Sequence, residues 1–435
     1  MVLTGTLRRV FRRGDKAKGL PGGGDLDLEP VIPAHFRCPV SLELMKDPVT
    51  LATGITYDRE SIERWVESGN TTCPVTNLVL PNTLMVPNHA IRRLIQDWCV
   101  EHRSYGIERI PTPRIPVAPC DVSEVCSRVV AAARNGDERK CRELVGKIRV
   151  WGRESERNKR CVVENGACSV LASAFDSFSS SVEENAGVLE EILGVLPWMM
   201  VSLQEGDVIV KLGSEASLKS LVWFLNRDDL SARQNAAMVL KEMPVRALAK
   251  IDGVVEALVK MIRDPVGPSA TKASLTKIFH LVSSSEDKER ITLRFVELGL
   301  FSLLLEVIVN AERSTCEKAL GVLDCVCDCK EGKEMAMANA LTLPLAIKKI
   351  LRVSELATEF SVSILWKLCG REDEEVLVEA LQLGAFQKLL VLLQVGCGEK
   401  TKEKGTELLK LLNSYKNRAE CVDSSLDFKY LKKPF

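Results

Sequence analysis

Four short residue pairs between Cys38 and Thr76 follow the spacing of a site that holds two zinc ions. In such a site the register is Cys-x-x-Cys, Cys-x-His, Cys-x-x-Cys and Cys-x-x-Cys, with four nitrogen or sulfur ligands per ion. Only Cys38 and Cys73 are thiols here, and they lie at opposite ends of the pattern, so we expect that neither site closes and that no metal binds. The pairs are Cys38-x-x-Ser41, Thr53-x-Ile55, Asp58-x-x-Ser61 and Cys73-x-x-Thr76.

The residues that replace the missing ligands are short and polar, and they predict a lobe held together by hydrogen bonds. A structural zinc ion contributes on the order of 10 kcal/mol to a small domain. One hydrogen bond contributes only about 1 kcal/mol net. Several such bonds must therefore act together with an apolar core. The predicted polar scaffold consists of Ser41, Thr53, Tyr57, Asp58, Ser61, Thr76 and Asn88.

Two amphipathic helices and two short strands are expected to position this scaffold. Asp58 can cap the first helix by accepting from amides two or three residues further on, and Asn88 can cap the second. One β-rich run, at 49–51, lies before the first helix, and another, at 79–80, lies between the two helices. The predicted apolar faces hold Ile62, Trp65 and Val66 in the first helix, and Ile91, Leu94, Ile95 and Trp98 in the second.

Five sequence blocks, at 33–45, 47–49, 53–59, 73–76 and 87–93, resemble a U-box, which is a RING-like module that folds without zinc. The resemblance implies that the module holds a ubiquitin-charged conjugating enzyme and acts by positioning, without a cofactor, a catalytic side chain or a covalent intermediate. It also implies a docking groove made by the first loop, the central helix and the second loop. At those positions stand Cys38, Pro39, Val40, Leu42, Trp65, Pro74 and Asn77.

These docking residues also have structural interpretations. Many active modules of this type carry Arg where this chain has Asn77. The shorter, uncharged side chain is expected to hold the donor ubiquitin less firmly. A position in the core is the alternative for Val40, Leu42, Trp65 and Cys38, and a role in shaping the loop is the alternative for Pro74.

Residues 121–418 show long helical periodicity with an internal repeat. A small turn precedes a leucine-rich helix about every 40 to 47 residues, which is the range of armadillo and HEAT repeats. About six stacked repeats share a continuous core and form an α-solenoid, because one repeat cannot bury its own face. An irregular helical bundle is the alternative. The turns are at Gly166, Gly213, Gly253, Gly299, Leu343-Pro344 and Gly384.

The predicted protein is mainly α, with a small α+β U-box followed by an armadillo solenoid. We predict a disordered basic tail at 1–32, the U-box at 33–104, a Pro-rich linker at 105–120, the solenoid at 121–418 and a C-terminal tail at 419–435. A nuclear-import patch, an organelle presequence and a contact with anionic membranes remain alternatives for the basic tail.

Composition excludes several classes of protein. Lys plus Arg and Asp plus Glu both number 59, so no overall charge favours nucleic acid. No apolar run reaches the roughly eighteen residues of a membrane span, and no secretory signal opens the chain. The 15 cysteines are therefore expected to be reduced in the cytoplasm, with the nucleus and plasma membrane as alternative locations. Cys325, Cys327 and Cys329 are expected to be buried thiols on one helix rather than a metal site.

A U-box followed by armadillo repeats is similar to the plant U-box/armadillo ubiquitin ligases, and 106–113, 384–390 and 401–404 share that resemblance. It implies a ligase that binds a conjugating enzyme, ubiquitin and a protein substrate, and that regulates defence or stress signalling. A homodimer and a peripheral membrane contact stay open. A non-catalytic scaffold with a vestigial U-box, or an enzyme that only extends existing ubiquitin chains, is the alternative. A cargo receptor is disfavoured, because Ser155, Ser202, Arg227 and Gly370 stand where Trp-x-x-x-Asn ladders carry Asn.

Overall fold

The structure of the 435-residue chain is a computed structural model that describes residues 31–111, 116–200, 206–284, 286–370 and 374–415. The predicted C-terminal tail, residues 1–30 of the basic tail and residues 112–115 of the linker lie outside these ranges. The chain divides into two compact units, with the boundary between Ile115 and Pro116.

The first unit combines a small antiparallel sheet with two helices. Its strands are β1 (Pro48–Thr50), β2 (Thr56–Asp58) and β3 (Val86–Pro87), its helices are α1 (Arg59–Glu67) and α2 (His89–Glu101), and 3₁₀ turns lie at Ala34–Phe36 and Arg103–Tyr105. The strand order is β2–β1–β3. Val49 lies opposite Tyr57 on one side and Pro87 on the other. Residues 79–80, predicted as a strand, contribute only an isolated bridge between Thr72 and Val79.

The core of this unit lies between the sheet and the helices. Val49, Tyr57, Ile62 and Ile95 are fully buried, so the paired strand residues and one residue from each helix meet there. The predicted face of α2 is only partly buried, because Leu94 remains 51% exposed.

The second unit consists of helical repeats, most of three helices each and the first of four. The bounds of its helices are α3 Pro119–Arg134, α4 Glu138–Glu154, α5 Glu156–Glu164, α6 Ala167–Phe178, α7 Ala186–Leu193, α8 Leu196–Met200, α9 Gly206–Leu212, α10 Glu215–Leu225, α11 Leu230–Glu242, α12 Val245–Leu248, α13 Val254–Arg263, α14 Pro268–Ser284, α15 Lys288–Glu297, α16 Leu300–Asn310, α17 Arg313–Val326, α18 Lys330–Ala338, α19 Thr342–Lys349, α20 Glu355–Cys369, α21 Glu374–Gln382, α22 Ala385–Val395 and α23 Glu399–Tyr415. The pair α3 and α4 comes first, and within the described residues six repeats follow it: α5–α8, α9–α11, α12–α14, α15–α17, α18–α20 and α21–α23.

Successive repeats stack through equivalent helices. The last long helices pack side by side in the order α4, α7, α11, α14, α17, α20 and α23. Their apolar faces form one continuous core with the helices that precede them. This is the armadillo solenoid that the repeat spacing predicted.

Glycine turns set the start of several repeats. Gly166, Gly253, Gly299 and Gly384 have φ of 75°, 81°, 80° and 81°, each directly before the middle helix of its repeat. Glycine adopts this left-handed conformation without steric cost. The turn predicted at Leu343-Pro344 is wrong, because both residues lie in the first turn of α19, where proline is tolerated.

Buried cations join neighbouring repeats through the ends of helices. Nζ of Lys277 on α14 donates across 2.6 Å to the carbonyl of Met243, the residue that ends α11. Nη2 of Arg233 on α11 donates across 2.9 Å to the carbonyl of Asp264, which ends α13. Helix C-terminal carbonyls lack partners within the helix and attract positive charge. These contacts therefore satisfy carbonyls that burial would otherwise leave unpaired.

The three closely spaced cysteines do not share one helix, contrary to the prediction. Cys325 lies in α17, Cys327 ends that helix, and Cys329 caps α18 by accepting from the amide of Gly332. Burial raises the pKa of each thiol. In the described ranges no group of three His, Cys, Asp or Glu side chains could hold a metal ion.

No single helix in the part of the chain that the structure describes is long and apolar enough to cross a membrane. Among the described helices, the pair α21 and α22 taken together meets that criterion by length and composition, and the pair is bent by 69°.

Candidate docking site

The thiol of Cys73 is surrounded by hydroxyl groups. The Tyr57 hydroxyl lies 3.0 Å from its sulfur, and the Thr53 hydroxyl donates to it across 3.4 Å. The Tyr57 oxygen also accepts from the amide of Val75, and the Tyr57 hydroxyl donates to Cys73 when that thiol is ionised. Burial acts against ionisation of Cys73, but hydrogen bonds from Thr53, Thr76 and Tyr57 outweigh it and lower the pKa to about 6.

The thiol of Cys38 has a comparable environment. Burial acts against its ionisation, while the backbone amides of Ser41, Asp58 and Val40 and the Ser41 hydroxyl lower its pKa. Each former metal position thus keeps one thiol among hydrogen-bond donors. The donors stabilise negative charge on sulfur, which is the task that a zinc ion performs in a metal site.

The loops that follow the two thiols have the same backbone geometry. The amide of Cys38 donates to the carbonyl of Glu43, and the amide of Leu42 donates to the carbonyl of Cys38, both at 2.8 Å. The equivalent two bonds, also at 2.8 Å, close the loop after Cys73. The fourth residue after each thiol is left-handed, with φ of 61° at Leu42 and 56° at Asn77.

Leu42 has a strained backbone conformation, and its side chain makes little packing contact that would offset the strain. A left-handed backbone costs a residue such as leucine roughly 1–2 kcal/mol, whereas asparagine tolerates it better. The side chain of Leu42 is 70% exposed, so contacts within this unit do not repay the cost. The first loop therefore holds an apolar side chain out in solvent.

Most of the predicted docking residues reach the surface. Val40 is 39% exposed, which together with Leu42 argues against a place in the core. Pro39 and Asn77 are exposed, and Pro74 is half-buried. Cys38 is the exception, because its side chain is fully buried and shapes the loop from inside. Its assignment as a docking residue is therefore corrected.

Trp65 connects the central helix to the second loop. Its indole nitrogen donates across 2.8 Å to the carbonyl of Thr72. The Asn70 side chain donates across 3.0 Å to the Trp65 carbonyl. The first bond holds the half-buried ring against the segment that leads into the second loop, and the second bond ties Asn70 to the backbone of α1.

The second loop holds further exposed apolar residues that were not predicted from the sequence as docking residues. Val75, Leu78 and Val79 are all exposed. Val75 follows a Cys-Pro pair just as Val40 does. This similarity between the two loops could have predicted that Val75 is exposed as Val40 is. The exposed apolar surface thus extends along both loops.

Asp58 begins α1, but its side chain does not cap the helix. Its Oδ1 instead accepts from the amides of Lys46 and Asp47, at 2.8 and 2.9 Å. The predicted cap is wrong because the carboxylate satisfies two amides of the segment before β1. Burial raises the pKa of Asp58, and those two amides act in the opposite direction.

Asn88 joins the sheet to the second helix. Its side-chain oxygen accepts from the amide of Ile91, so it caps α2 as predicted. Its nitrogen donates to the hydroxyls of Thr50 and Thr56, which are 3.0 Å from each other. One side chain therefore ties β1, β2 and α2 together.

The remaining scaffold residues act locally. Ser41 accepts from the amide of Glu43, and Thr76 accepts from the amide of Leu78, both at 3.4 Å. Ser61 is half-buried on α1 and makes no hydrogen bond to another loop of the described U-box residues.

A RING-like module with donors around its former metal positions, followed by a solenoid of three-helix repeats, defines a U-box protein with armadillo repeats. The family model described as "U-box domain" matches residues 32–104, and that described as "Plant U-box protein ARM repeat region" matches residues 121–432. The chain belongs to the plant U-box proteins with an ARM repeat region.

Three similar proteins of Arabidopsis thaliana extend over nearly the whole chain. U-box domain-containing protein 21 is 50% identical over 414 residues, which cover 94% of each chain. U-box domain-containing protein 20 is 48% identical and covers 99% of this chain and 100% of its own. E3 ubiquitin-protein ligase PUB23 is 34% identical over 94% of this chain and 99% of its own.

Proposed function

We propose that this chain is a RING-type ubiquitin-protein ligase that docks a ubiquitin-charged conjugating enzyme on its U-box and holds a protein substrate on its armadillo repeats. The observation that carries the proposal is the exposed, left-handed Leu42. Backbone strain persists where function requires it. Membership of a family that includes a protein named E3 ubiquitin-protein ligase PUB23 supports the proposal.

The proposed docking surface combines two loops and one helix. It combines exposed apolar side chains with a half-buried tryptophan, which is the composition of a binding hot spot. Burial of the exposed part of Leu42 by a partner contributes about 1–2 kcal/mol. The surface consists of Pro39, Val40, Leu42, Trp65, Pro74, Val75 and Asn77.

Catalysis in this proposal is positional. The conjugating enzyme carries ubiquitin as a thioester on its own cysteine. The substrate lysine attacks that thioester, an isopeptide bond forms, and the cysteine of the conjugating enzyme leaves as a thiol. The U-box contributes orientation alone, which lowers the entropic part of the barrier.

Self-ubiquitination tests the proposal. The full chain is mixed with activating enzyme, a broad panel of conjugating enzymes, ubiquitin and ATP. We expect ubiquitin ladders, and we expect Leu42→Ala to slow their formation about tenfold through weaker binding of the conjugating enzyme. Leu94→Ala, which removes an exposed leucine from α2 outside both loops, is the matched control and keeps the activity. Absence of ladders with every conjugating enzyme refutes the proposal.

A non-catalytic scaffold is the second candidate, and Asn77 is the observation that favours it. This uncharged residue stands in the second loop where the family resemblance leads us to expect an arginine. A scaffold forms no ladders under any condition. An enzyme limited to chain extension forms them only on an acceptor that already carries ubiquitin, so adding such an acceptor separates the alternatives.

Family resemblance also supports a proposed role in plant defence or stress signalling, in the cytoplasm and with access to the nucleus or plasma membrane. Plants that lack the protein are expected to show altered defence responses, and a fluorescent fusion reports its location.

A homodimer and a peripheral membrane contact belong to the same proposal. Sedimentation of the purified chain, alone and with anionic vesicles, tests both.

A further inference from the structure

One side of α22, the middle helix of the last described repeat, carries an apolar stripe formed by Phe386, Leu390 and Leu393. Nζ of Lys388 on α22 donates across 2.5 Å to the carbonyl of Ile347 on α19, so the Lys388 side of the helix faces the preceding repeat. Successive residues of an α-helix are about 100° apart, which places the stripe about 140–200° around the helix from Lys388. The stripe therefore faces away from the preceding repeat.

The equivalent positions in earlier repeats are buried. The helices α6, α13, α16 and α22 each begin directly after a left-handed glycine, which gives them a common reference point. The sixth residue after that glycine is Leu390 in α22, and it is 42% exposed. In the earlier helices the same position is at most 3% exposed, at Ala172, Val259 and Leu305. The ninth residue is half-buried at Leu393 and fully or almost fully buried at Phe175, Ile262 and Ile308.

The next repeat covers these positions in the earlier helices. The middle helices stack on one another in the order α6, α10, α13, α16 and α19. Among the described residues no helix follows α23 to cover α22 in the same way. The exposure of Leu390 thus follows from its place at the end of the stack. The last repeat of a solenoid needs a polar outer face to stay soluble, and an apolar stripe at this place calls for a cover.

The chain itself continues from a point close to the stripe. The helices α22 and α23 pack against each other and are joined by a short loop, so they run in opposite directions. A Cβ added to Gly405 of α23 would lie 3.8 Å from the Leu393 side chain, so these two residues lie at the same level. At about 1.5 Å per residue, Tyr415 then ends α23 within roughly 10 Å of the level of Phe386. Residues 416–435 follow Tyr415 in the sequence.

This C-terminal segment has apolar side chains at a spacing that matches the stripe. Leu426, Phe428 and Tyr430 alternate with two charged residues. In an extended segment, alternate residues lie on one side about 6.5–7 Å apart. Residues three or four apart on a helix surface are separated by about 5–6 Å. The family model of the repeat region extends to residue 432, so the segment belongs to the matched region.

We propose that residues 426–430 cover the stripe on α22 and close the solenoid at this end. Leu426, Phe428 and Tyr430 contact the stripe, and the two charged side chains between them face solvent. Tethering favours this occupant over a second copy of the chain. A segment that begins about eleven residues after α23 is present at an effective concentration on the order of millimolar. The inference concerns the solenoid alone, so it stands or falls independently of ligase activity.

Photo-cross-linking in the full chain tests the contact. The photoreactive residue p-benzoylphenylalanine replaces Leu390, and mass spectrometry identifies the peptides joined to α22 after irradiation. We expect cross-links to residues 426–430. The same group in place of Val309, an exposed residue near the end of α16, is the matched control. It is expected to give no cross-link to that segment.

An equal mixture of unlabelled and ¹⁵N-labelled chains identifies which chain supplies the cover. Cross-links within one chain contain a single isotope, and we expect these. Cross-linked peptides that combine the two isotopes mean that a second copy covers the stripe, and they overturn the inference. Absence of cross-links between position 390 and residues 426–430 also overturns it.

Hydrogen exchange measures the protection that the cover gives to α22. The triple variant Leu426→Ser/Phe428→Ser/Tyr430→Ser is expected to exchange the amides of α22 at least about tenfold faster, because lost apolar contacts make local opening easier. The double variant Asp427→Ser/Lys429→Ser changes the same segment on its charged side and should leave exchange unchanged. Unchanged exchange of α16 shows that all variants are folded. Equal exchange of α22 in the two variants contradicts the proposed cover.

Discussion

The hydroxyl of Tyr57 lies 3.0 Å from the sulfur of Cys73, and both side chains are fully buried. A tyrosine on β2 thus supplies hydrogen-bond stabilisation to a thiol that a metal ion stabilises in a zinc-binding relative of this fold. The same oxygen accepts from the amide of Val75, so the contact also holds the second docking loop. The stability of the U-box and the shape of its docking surface therefore depend on the same bond.

Tyr57→Phe is expected to destabilise the U-box by about 1–3 kcal/mol, because it leaves a buried acceptor without its donor. Hydrogen exchange of residues 31–111 in the full chain measures this as a lower free energy of local opening. Tyr105→Phe removes an exposed hydroxyl and is the control. Equal effects of the two substitutions would contradict the role of Tyr57.

Stability of the U-box is expected to fall as the pH falls from about 9 towards about 6. The pKa of Cys73 is lowered from 9.0 to about 6 in the folded protein. A group with a depressed folded pKa contributes stability that is fully present above its unfolded pKa and is lost as the pH falls through its folded pKa. Opening free energies across this range, corrected for intrinsic exchange rates, measure the effect.

Cys73→Ala is expected to reduce that pH dependence, and the remainder reports Cys38, whose pKa is also lowered. Cys99→Ala is the control, because burial raises the pKa of that thiol, which is the opposite direction to the shift of Cys73. An unchanged slope in Cys73→Ala would show that the thiol is neutral in the folded U-box.

Leu42→Gly is expected to stabilise the U-box while weakening its binding to conjugating enzyme. Glycine adopts the left-handed conformation without strain, which stabilises the folded state by roughly 1–2 kcal/mol. Glycine also has the larger conformational entropy in the unfolded chain, which offsets about 0.5–1 kcal/mol of that stabilisation. Leu42→Ala keeps the strain but loses the same apolar contact. Both variants should bind conjugating enzyme about tenfold more weakly, and only the glycine variant should resist opening. If Leu42→Gly stabilises the U-box but leaves its affinity for conjugating enzyme unchanged, Leu42 is not part of the docking surface.

Asn77→Arg is expected to increase the rate at which a charged conjugating enzyme releases its ubiquitin, by about tenfold, or about 1.4 kcal/mol of barrier. Arginine supplies several donors and a fixed charge where asparagine supplies one amide. Single-turnover discharge to free lysine measures the rate, and Asn77→Gln is the control for side-chain length. No gain with arginine would indicate that the second loop does not contact ubiquitin.

Gly332→Ala is expected to destabilise the solenoid by about 1–3 kcal/mol through overpacking. A Cβ at this position would lie 2.1 Å from the carbonyl oxygen of Val326, which belongs to the backbone of α17. Gly146→Ala on α4 is the opposite case, since its Cβ would lie 3.5 Å from Oε1 of Glu191 on α7, which is an ordinary contact. That substitution should be neutral or stabilise by up to about 1 kcal/mol. Thermal unfolding of the full chain compares the two.

Local spacing was sufficient to predict the architecture. The pattern from Cys38 to Thr76 located the U-box, because the loops around the two former metal positions close only when the residues that line them are spaced at fixed intervals in the sequence. The armadillo repeats followed from the glycine turns, since a left-handed residue before a helix is a requirement of the backbone and not of a distant contact. Asn88 was found as a cap because its acceptor and its donor lie three residues apart.

Long-range competition decided the rest. The Asp58 carboxylate accepts from the amides of Lys46 and Asp47 and does not cap its own helix. These two donors are more than ten residues away in sequence, so rules based on neighbouring residues do not predict them. The sequence by itself determined which segments fold and where they start, because propensity and periodicity act over a few residues. Only the tertiary structure could bring Phe279 to Phe360 across an intervening repeat, or leave Leu42 strained and exposed, because such contacts depend on how packed helices and loops divide the available space.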